Sequence, residues 1–178
     1  MQSADDLRRN IELKVRDADP PRTLAACRAL GAEDQGTLVQ RDTHFAVAAG
    51  GLKLREQTPG AAHLIQWHRA TEAQERESRY RIVAIGDAGT LLAALADTIG
   101  VSAVVSKRRR LFTWQNVRIH LDEVDGLGHF VELEAVAPPD SDLENERRQV
   151  AHLIAKLGID RDQILANSYA ELLTLKHE

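Results

Sequence analysis

Hydrophobic and polar residues alternate with a period of two along NIELKVR, residues 10 to 16. Asn10, Glu12, Lys14 and Arg16 fall on one face of an extended chain, and Ile11, Leu13 and Val15 fall on the other. Taken singly, this predicts an amphipathic strand with its charged face in water. The period then changes. In DADPPRTLAACRALGAE, Pro20 and Pro21 set a helix entry, Leu24, Cys27 and Leu30 share a face, and Gly31 ends the element. GTLVQRDTHFAVAAGGLKLREQT predicts two strands joined near Gly50 and Gly51. AAHLIQWHRA and RYRIVAI predict two more around the charged loop TEAQERES. DAGTLLAALADTIGV reads as a second helix with Leu91, Leu92 and Leu95 toward a core and Gly100 at its end.

AVVSKRRRLFTWQNVRIHLDEV predicts a strand pair turning at Gln115 and Asn116. DGLG is a tight turn into the strand HFVELEAVA, which Pro138 and Pro139 stop. SDLENERRQVAHLIAKLG predicts a third helix, with Ser141 as cap, Glu144 three residues on, and Gly158 as the stop. RDQILANSYAELLTL adds a final helical turn or two. With no repeat, linker or low-complexity tract, the elements predict one α+β domain over residues 1–178, dominated by antiparallel sheet.

Composition narrows the class. Hydrophobic residues at 43% and charged residues at 28% suit a soluble globular protein and exclude a disordered chain. No apolar run approaches the roughly 20 residues that span a bilayer. The polar start MQSADDLRRN is not a signal peptide, so a cytoplasmic protein with no membrane partner is expected. Cys27 stands alone in an apolar stretch and is expected to be a buried thiol. The net charge of -4 argues against nucleic acid as a partner, so any anion site must come from local clustering.

Such clustering exists. In LKLRE, Lys53 and Arg55 share a strand face; in SKRRRL, Lys107 and Arg109 do, which leaves Arg108 and Arg110 for the surface. In NVRIHLDEV, Arg118, His120 and Asp122 are in phase, and in HFVELEAV so are Glu132 and Glu134. Apart from SKRRRL, each set faces away from an aliphatic set. An open sheet would leave these charges solvated, and composition favours that arrangement. A closed sheet would turn them inward, and the mixture of signs favours it. Buried charge on this scale needs ions to complete the pairing: a polyphosphate for the bases and hard divalent cations for the carboxylates. The chemistry implied is metal-assisted phosphoryl or nucleotidyl transfer.

NIELKVR, QRDTHF, GGLKLRE, the arginines and hydroxyls at Arg69, Arg76, Ser78 and Tyr80, KRRRLFTWQNVRIHLDEVDGLGHFVELE and the terminal SYAELL together resemble the CYTH superfamily, the triphosphate tunnel metalloenzymes. Within it the chain resembles the branch of class IV adenylyl cyclases. The matches run in order from residue 10 to residue 173. The resemblance implies a closed, antiparallel eight-stranded β-tunnel with flanking helices, whose bases grip a triphosphate and whose acids hold Mg2+ or Mn2+. It implies catalytic and metal-binding roles for Glu12, Asp122, Glu132 and Glu134, with Glu132 and Glu134 the more direct metal ligands. It implies triphosphate contacts from Lys14, Lys53, Arg55, Lys107, Arg109 and Arg118, and from Arg69 and Arg76 beside the charged loop. Two positions depart from the pattern: Asn10 replaces the first motif acid, and His44 stands where relatives often carry Tyr.

Three functions follow from the resemblance. The first is conversion of ATP to cyclic AMP and pyrophosphate, the second is hydrolysis of an inorganic, thiamine or nucleoside triphosphate, and the third is noncatalytic polyphosphate binding, which Asn10 keeps open. No histidine pair has HExxH spacing, which argues against zinc. His120 reads first as a neutral packing residue and second as a substrate contact. Trp67 and Trp114 read as packing residues. The helix NERRQVAHLIAKLG serves equally as a core element or as a homodimer face.

Overall fold

A computed structural model of the chain describes residues 6–177, apart from the side chain of His177; half of the polar start and Glu178 therefore lie outside the described residues. The strands are β1 (Arg8–Arg16), β2 (Glu33–Phe45), β3 (Gly51–Thr58), β4 (Ala62–Arg69), β5 (Arg76–Ile85), β6 (Val101–Trp114), β7 (Val117–Val124) and β8 (Gly128–Ala137). The helices are α1 (Pro20–Ala29), α2 (Ala88–Ile99), α3 (Glu144–Leu157) and α4 (Tyr169–His177). The strands close into a barrel in the order β1-β5-β4-β3-β2-β6-β7-β8, with antiparallel neighbours throughout. Closure decides between the two arrangements left open by the alternating pattern. Among the described residues no helix is long and apolar enough to cross a membrane.

The aliphatic faces point outward and the charged faces inward. Ile11, Leu13 and Val15 of β1, Val117 and Ile119 of β7, and Val131, Leu133 and Ala135 of β8 are all buried beneath helices. They pack with Cys27 of α1 and with Val150, Leu153, Ile154 and Leu157 of α3. The hydrophobic core thus lies between barrel and helices, which frees the interior for polar side chains. It also takes up the apolar face of α3 that the sequence offered as a dimer surface. Leu133 is fully buried in this layer. Leu133→Ala is expected to cost about 2–5 kcal/mol of stability, read from the denaturant midpoint of equilibrium unfolding.

Caps explain most helix boundaries. Asp19 accepts from the Arg22 amide at 3.2 Å to open α1, and Asp87 accepts from the Thr90 amide at 3.0 Å to open α2. Three local readings change. The third helix begins only at Glu144, after Leu143 in a left-handed conformation (φ 69°). Ser141 accepts from the Leu143 amide at 2.9 Å and donates to the buried Glu146 at 2.5 Å, so it braces the turn before the helix instead of capping it. Leu91, Leu92 and Leu95 are only half-buried, because α2 lies on the outside of β2 and β3 and no α2 residue is fully covered. Finally, Arg76, Glu77 and Ser78 belong to β5 and not to a loop, since their pairing with β1 extends the strand into the charged stretch.

Candidate active site

Cross-strand register brings the inward residues together. On β1, β8 and β7, Glu12 stands opposite Glu134 and Glu134 opposite Arg118, while Lys14 stands opposite Glu132 and Glu132 opposite His120. Glu12 also faces Arg76 across β5. On β2 and β3, Asp42 faces Arg55 and His44 faces Lys53. Arg109 of β6 faces Asp122 of β7. These residues surround one cavity of about 840 Å³. All eight bases expected from sequence line it: Lys14, Lys53, Arg55, Arg69, Arg76, Lys107, Arg109 and Arg118. Of the four expected acids, Glu12, Glu132 and Glu134 line it, whereas Asp122 stands behind the wall.

The acids divide the bases among them. Glu132 accepts from Arg109 Nη2 at 2.6 Å, lies 3.1 Å from Lys14 Nζ, and is 3.4 Å from His120 Nδ1. Asp122 takes Arg109 in a two-point grip at 2.7 and 2.6 Å and accepts from the Tyr169 hydroxyl at 2.9 Å. Its side chain is fully covered, so both of its oxygens are committed to orienting Arg109. Glu12 is held by Arg69 at 3.2 Å, with Arg76 Nε at 3.6 Å. Among the described residues Arg118 has no ion pair; it faces the cavity beside Glu134.

An acid that sequence reasoning passed over completes the set. Asp42 is 1% exposed, accepts from Arg55 Nε and Nη2 at 2.7 Å each, lies 2.9 Å from Lys53 Nζ and 3.7 Å from Lys107 Nζ. Its signal was present in QRDTHF, where Gln40, Asp42 and His44 share a face. Tyr169 was also missed as a site residue. It enters from α4 and sets its ring 3.9 Å from Lys14 Nζ and 4.9 Å from Lys107 Nζ. The segment before α4 is tied to the barrel by the Leu165 amide on the Lys14 carbonyl at 2.8 Å and by Arg76 on the Leu165 carbonyl at 3.3 Å.

Proton occupancy follows from these contacts. Burial alone would raise the Glu132 carboxyl, but Lys14 and Arg109 outweigh it and hold the group well below the usual carboxylate range. Glu12 goes the other way: burial raises it, Arg69 opposes, and crowding by Glu134 and Glu132 adds to the rise. Burial, then Arg109, lower His120, which leaves a neutral ring with a lone pair to offer. Burial, then Lys53, push His44 down to about 3. Burial, then Arg109, bring Lys107 down to about 7.

Ligand atoms of His120, Glu132 and Glu134 lie within 4.8 Å of one another. Two ionised carboxylates and a neutral imidazole fit a divalent cation. The grouping contains Glu132 and Glu134 as expected. His120, read as a packing side chain, occupies the third position, and Asp122 anchors Arg109 outside the group. Asn10, at the position of the first motif acid, is 3% exposed and its Oδ1 has no hydrogen-bond partner among the described residues.

The tryptophans part company. Trp114 stacks on His152 with ring centres 5.1 Å apart, as a packing residue does. Trp67 lies on the cavity wall, edge-on to His44 at 5.7 Å. Arg108 is exposed, and Arg110 pairs with Asp34 on the outside.

Comparison with known proteins places the chain among relatives of the same fold. Adenylate cyclase CyaB of Aeromonas hydrophila is 28% identical over 183 aligned positions, which cover 94% of this chain and 92% of its own. The PH1012 protein of Pyrococcus horikoshii OT3 superposes with a TM-score of 0.82 at 22% identity, over 92% of this chain and 98% of its own. The adenylyl cyclase-like protein HpAC1 from Hippeastrum superposes with a TM-score of 0.60 at 16% identity, over 94% and 95%. At those identities the two structures establish the shared fold. The sequence pattern of the CYTH domain matches residues 8–169, from the first strand to the tyrosine that opens α4, and the chain therefore belongs to the CYTH domain family.

Proposed function

We propose that the chain is a metal-dependent enzyme that holds a triphosphate inside the barrel and breaks one of its phosphoanhydride bonds. The observation that carries this reading is the convergence of eight bases on the His120, Glu132 and Glu134 group. Lys14 and Arg109 are bonded to Glu132, yet an ammonium has three donors and a guanidinium five, so both retain donors for phosphate oxygens. Lys53, Arg55 and Lys107, gathered by Asp42, offer a second set on the facing strands. Arg118, opposite Glu134 but in no close ion pair among the described residues, adds a further charge to the cavity. Charges fixed in advance around the phosphates stabilise the transition state without reorganising during reaction.

His120, Glu132 and Glu134 would hold Mg2+ or Mn2+, with Glu12 alongside. Bound there, such an ion would draw charge from the phosphate oxygens and make a nearby hydroxyl more acidic. In the first reading the substrate is ATP. Its 3′-oxygen bonds to the α-phosphorus, the bond from that phosphorus to the bridging oxygen breaks, and pyrophosphate leaves as the hydroxyl proton is released. The name of the Aeromonas relative supports this product. In the second reading water attacks the terminal phosphorus, the bond from that phosphorus to the bridging oxygen breaks with the diphosphate portion as leaving group, and orthophosphate is released with the water's proton given up. HpAC1, described as having a dominant triphosphatase activity, supports that one. A cytoplasmic site of action, with its supply of nucleoside triphosphate, belongs to the same proposal.

Incubation of the purified protein with ATP, and separately with inorganic triphosphate, in Mg2+ or Mn2+ tests the proposal. Cyclic AMP is the expected product of the first reading and orthophosphate that of the second, both lost on chelation of the metal. Tight triphosphate binding without turnover would replace the enzyme by a binding module. Absence of binding would remove the tunnel function altogether.

A further inference from the structure

Charge is unevenly spread around the barrel. β1, β2, β3, β6, β7 and β8 each put ionisable side chains into the interior. On β4 and β5 the ionisable Arg69 and Arg76 stand at one end and His63 at the other, and the inward positions between them include Ile65, Trp67, Tyr80 and Ile82. Register places Trp67 directly across from Tyr80 and Ile65 directly across from Ile82, so the four form two adjoining cross-strand pairs on one wall. Tyr80 is 8% exposed, while Ile65, Trp67 and Ile82 are half-buried and open to the same cavity as the phosphate-binding bases.

The indole is fixed in place. Gly51 stands opposite Trp67 on β3, and a Cβ at that glycine would come within 2.1 Å of the ring, so only glycine leaves room for the indole to lie where it does. The His44 ring meets it edge-on at 85°, and Lys53 Nζ is 5.4 Å from its centre. The aromatic wall therefore abuts the basic cluster around Asp42 through Lys53. A ligand of phosphates alone would leave this wall in contact with water. The cavity, at about 840 Å³, is in the range that holds drug-sized organic ligands.

We infer that the wall formed by Ile65, Trp67, Tyr80 and Ile82 binds the planar, uncharged ring of an organic triphosphate, and so makes the tunnel select a nucleoside triphosphate over inorganic triphosphate. The inference rests on the triphosphate reading above and adds the source of its selectivity. Stacking on an aromatic side chain and burial against two isoleucines act on the ring alone; the bases act on the phosphates common to both ligands.

Calorimetric titration with Mn2+ and either ATP or inorganic triphosphate tests it. The wild-type protein binds ATP more tightly. Trp67→Ala loses about ten- to hundredfold in ATP affinity and less than about twofold in triphosphate affinity. Ile82→Ala, which sits at a half-buried position and leaves the indole untouched, weakens ATP selectively by a smaller factor. Trp67→Phe, which keeps a ring, stays near wild type. Equal losses for both ligands in Trp67→Ala and Ile82→Ala, or a wild-type preference for inorganic triphosphate, would overturn the inference while leaving the tunnel intact. If wild type binds neither ligand and Arg109→Ala changes nothing, the triphosphate reading falls and this inference falls with it.

Discussion

Glu132→Gln is expected to lower turnover at least about a hundredfold while the barrel stays folded. That figure is the upper end of what is lost when only the support of a metal ligand is disturbed, and Glu132 is placed to be a ligand itself. Its carboxylate is the point where three structures meet: Lys14 at 3.1 Å, Arg109 at 2.6 Å, and the metal-competent group with His120 and Glu134. Glutamine is the better test than alanine. Either change takes the acid away from two buried cations, but alanine adds a void to that cost and so confuses catalysis with folding more. Glutamine keeps the shape and an oxygen acceptor for Arg109, but removes the negative charge that a divalent cation requires. Initial rates with ATP and with inorganic triphosphate, near-ultraviolet circular dichroism and Mn2+ titration give the three readings. Full rate and full Mn2+ affinity in Glu132→Gln would end the assignment of this group as a metal centre. Asp122→Asn provides a contrast, because Asp122 holds Arg109 and Tyr169 from behind the wall. It should weaken triphosphate binding and stability and leave Mn2+ affinity close to wild type.

The alternating segments make much of the barrel legible in the sequence itself. NIELKVR, LKLRE, NVRIHLDEV and HFVELEAV, on β1, β3, β7 and β8, each separate an ionisable face from an aliphatic one, and SKRRRL on β6 divides its bases between Lys107 and Arg109 on one face and Arg108 and Arg110 on the other. Alternation cannot say which face is inside. In this chain the aliphatic face is covered by α1 and α3, and only closure of the sheet encloses the other. Properties that depend on closure were the ones missed. Asp42 carries no assignment in the sequence, because only the pairing of β2 with β3 and β6 brings Arg55, Lys53 and Lys107 to it. Trp67 reads as a packing residue because nothing local shows that Gly51, sixteen residues earlier, leaves space for its ring on the cavity wall. Arg76 to Ser78 read as loop because their neighbours in sequence are charged, whereas their partners in space are Asn10 to Glu12 of β1. His120 was in phase with the interior, but its nearness to Glu132 and Glu134 is a cross-strand fact.

Asp42→Asn tests the least visible of these residues, and its effects on binding, stability and pH response are distinct. Arg55, Lys53 and Lys107 come from two strands and share this one carboxylate, so the substitution removes the charge that holds three cations near one another. Their mutual repulsion then spreads them, and triphosphate affinity should fall about ten- to hundredfold, in keeping with the ~1.5–3 kcal/mol carried by a hydrogen bond to a charged group. Stability should fall by about 3 kcal/mol or more, because cations are left in the interior without their acid. In the wild type, burial alone would raise the Asp42 carboxyl, but Lys53, then Arg55 and Lys107, hold it well below the usual range. A depressed folded value means that its stabilisation is in full force above the unfolded value of about 4 and is lost as pH falls through the folded one. The stability gap between wild type and Asp42→Asn should therefore be fully present at pH 5 and narrow in strong acid, as followed by urea unfolding. Lys107 supplies the third reading. Burial and Arg109 already bring it down to about 7, and Asp42 is one of the two acids that oppose the fall. Wild-type affinity for triphosphate should decline as pH rises above about 7 and Lys107 loses its proton. In Asp42→Asn the same decline should begin at lower pH, because one of the opposing charges is gone. A variant with wild-type affinity and an unshifted pH profile would show that the three bases keep their places without Asp42.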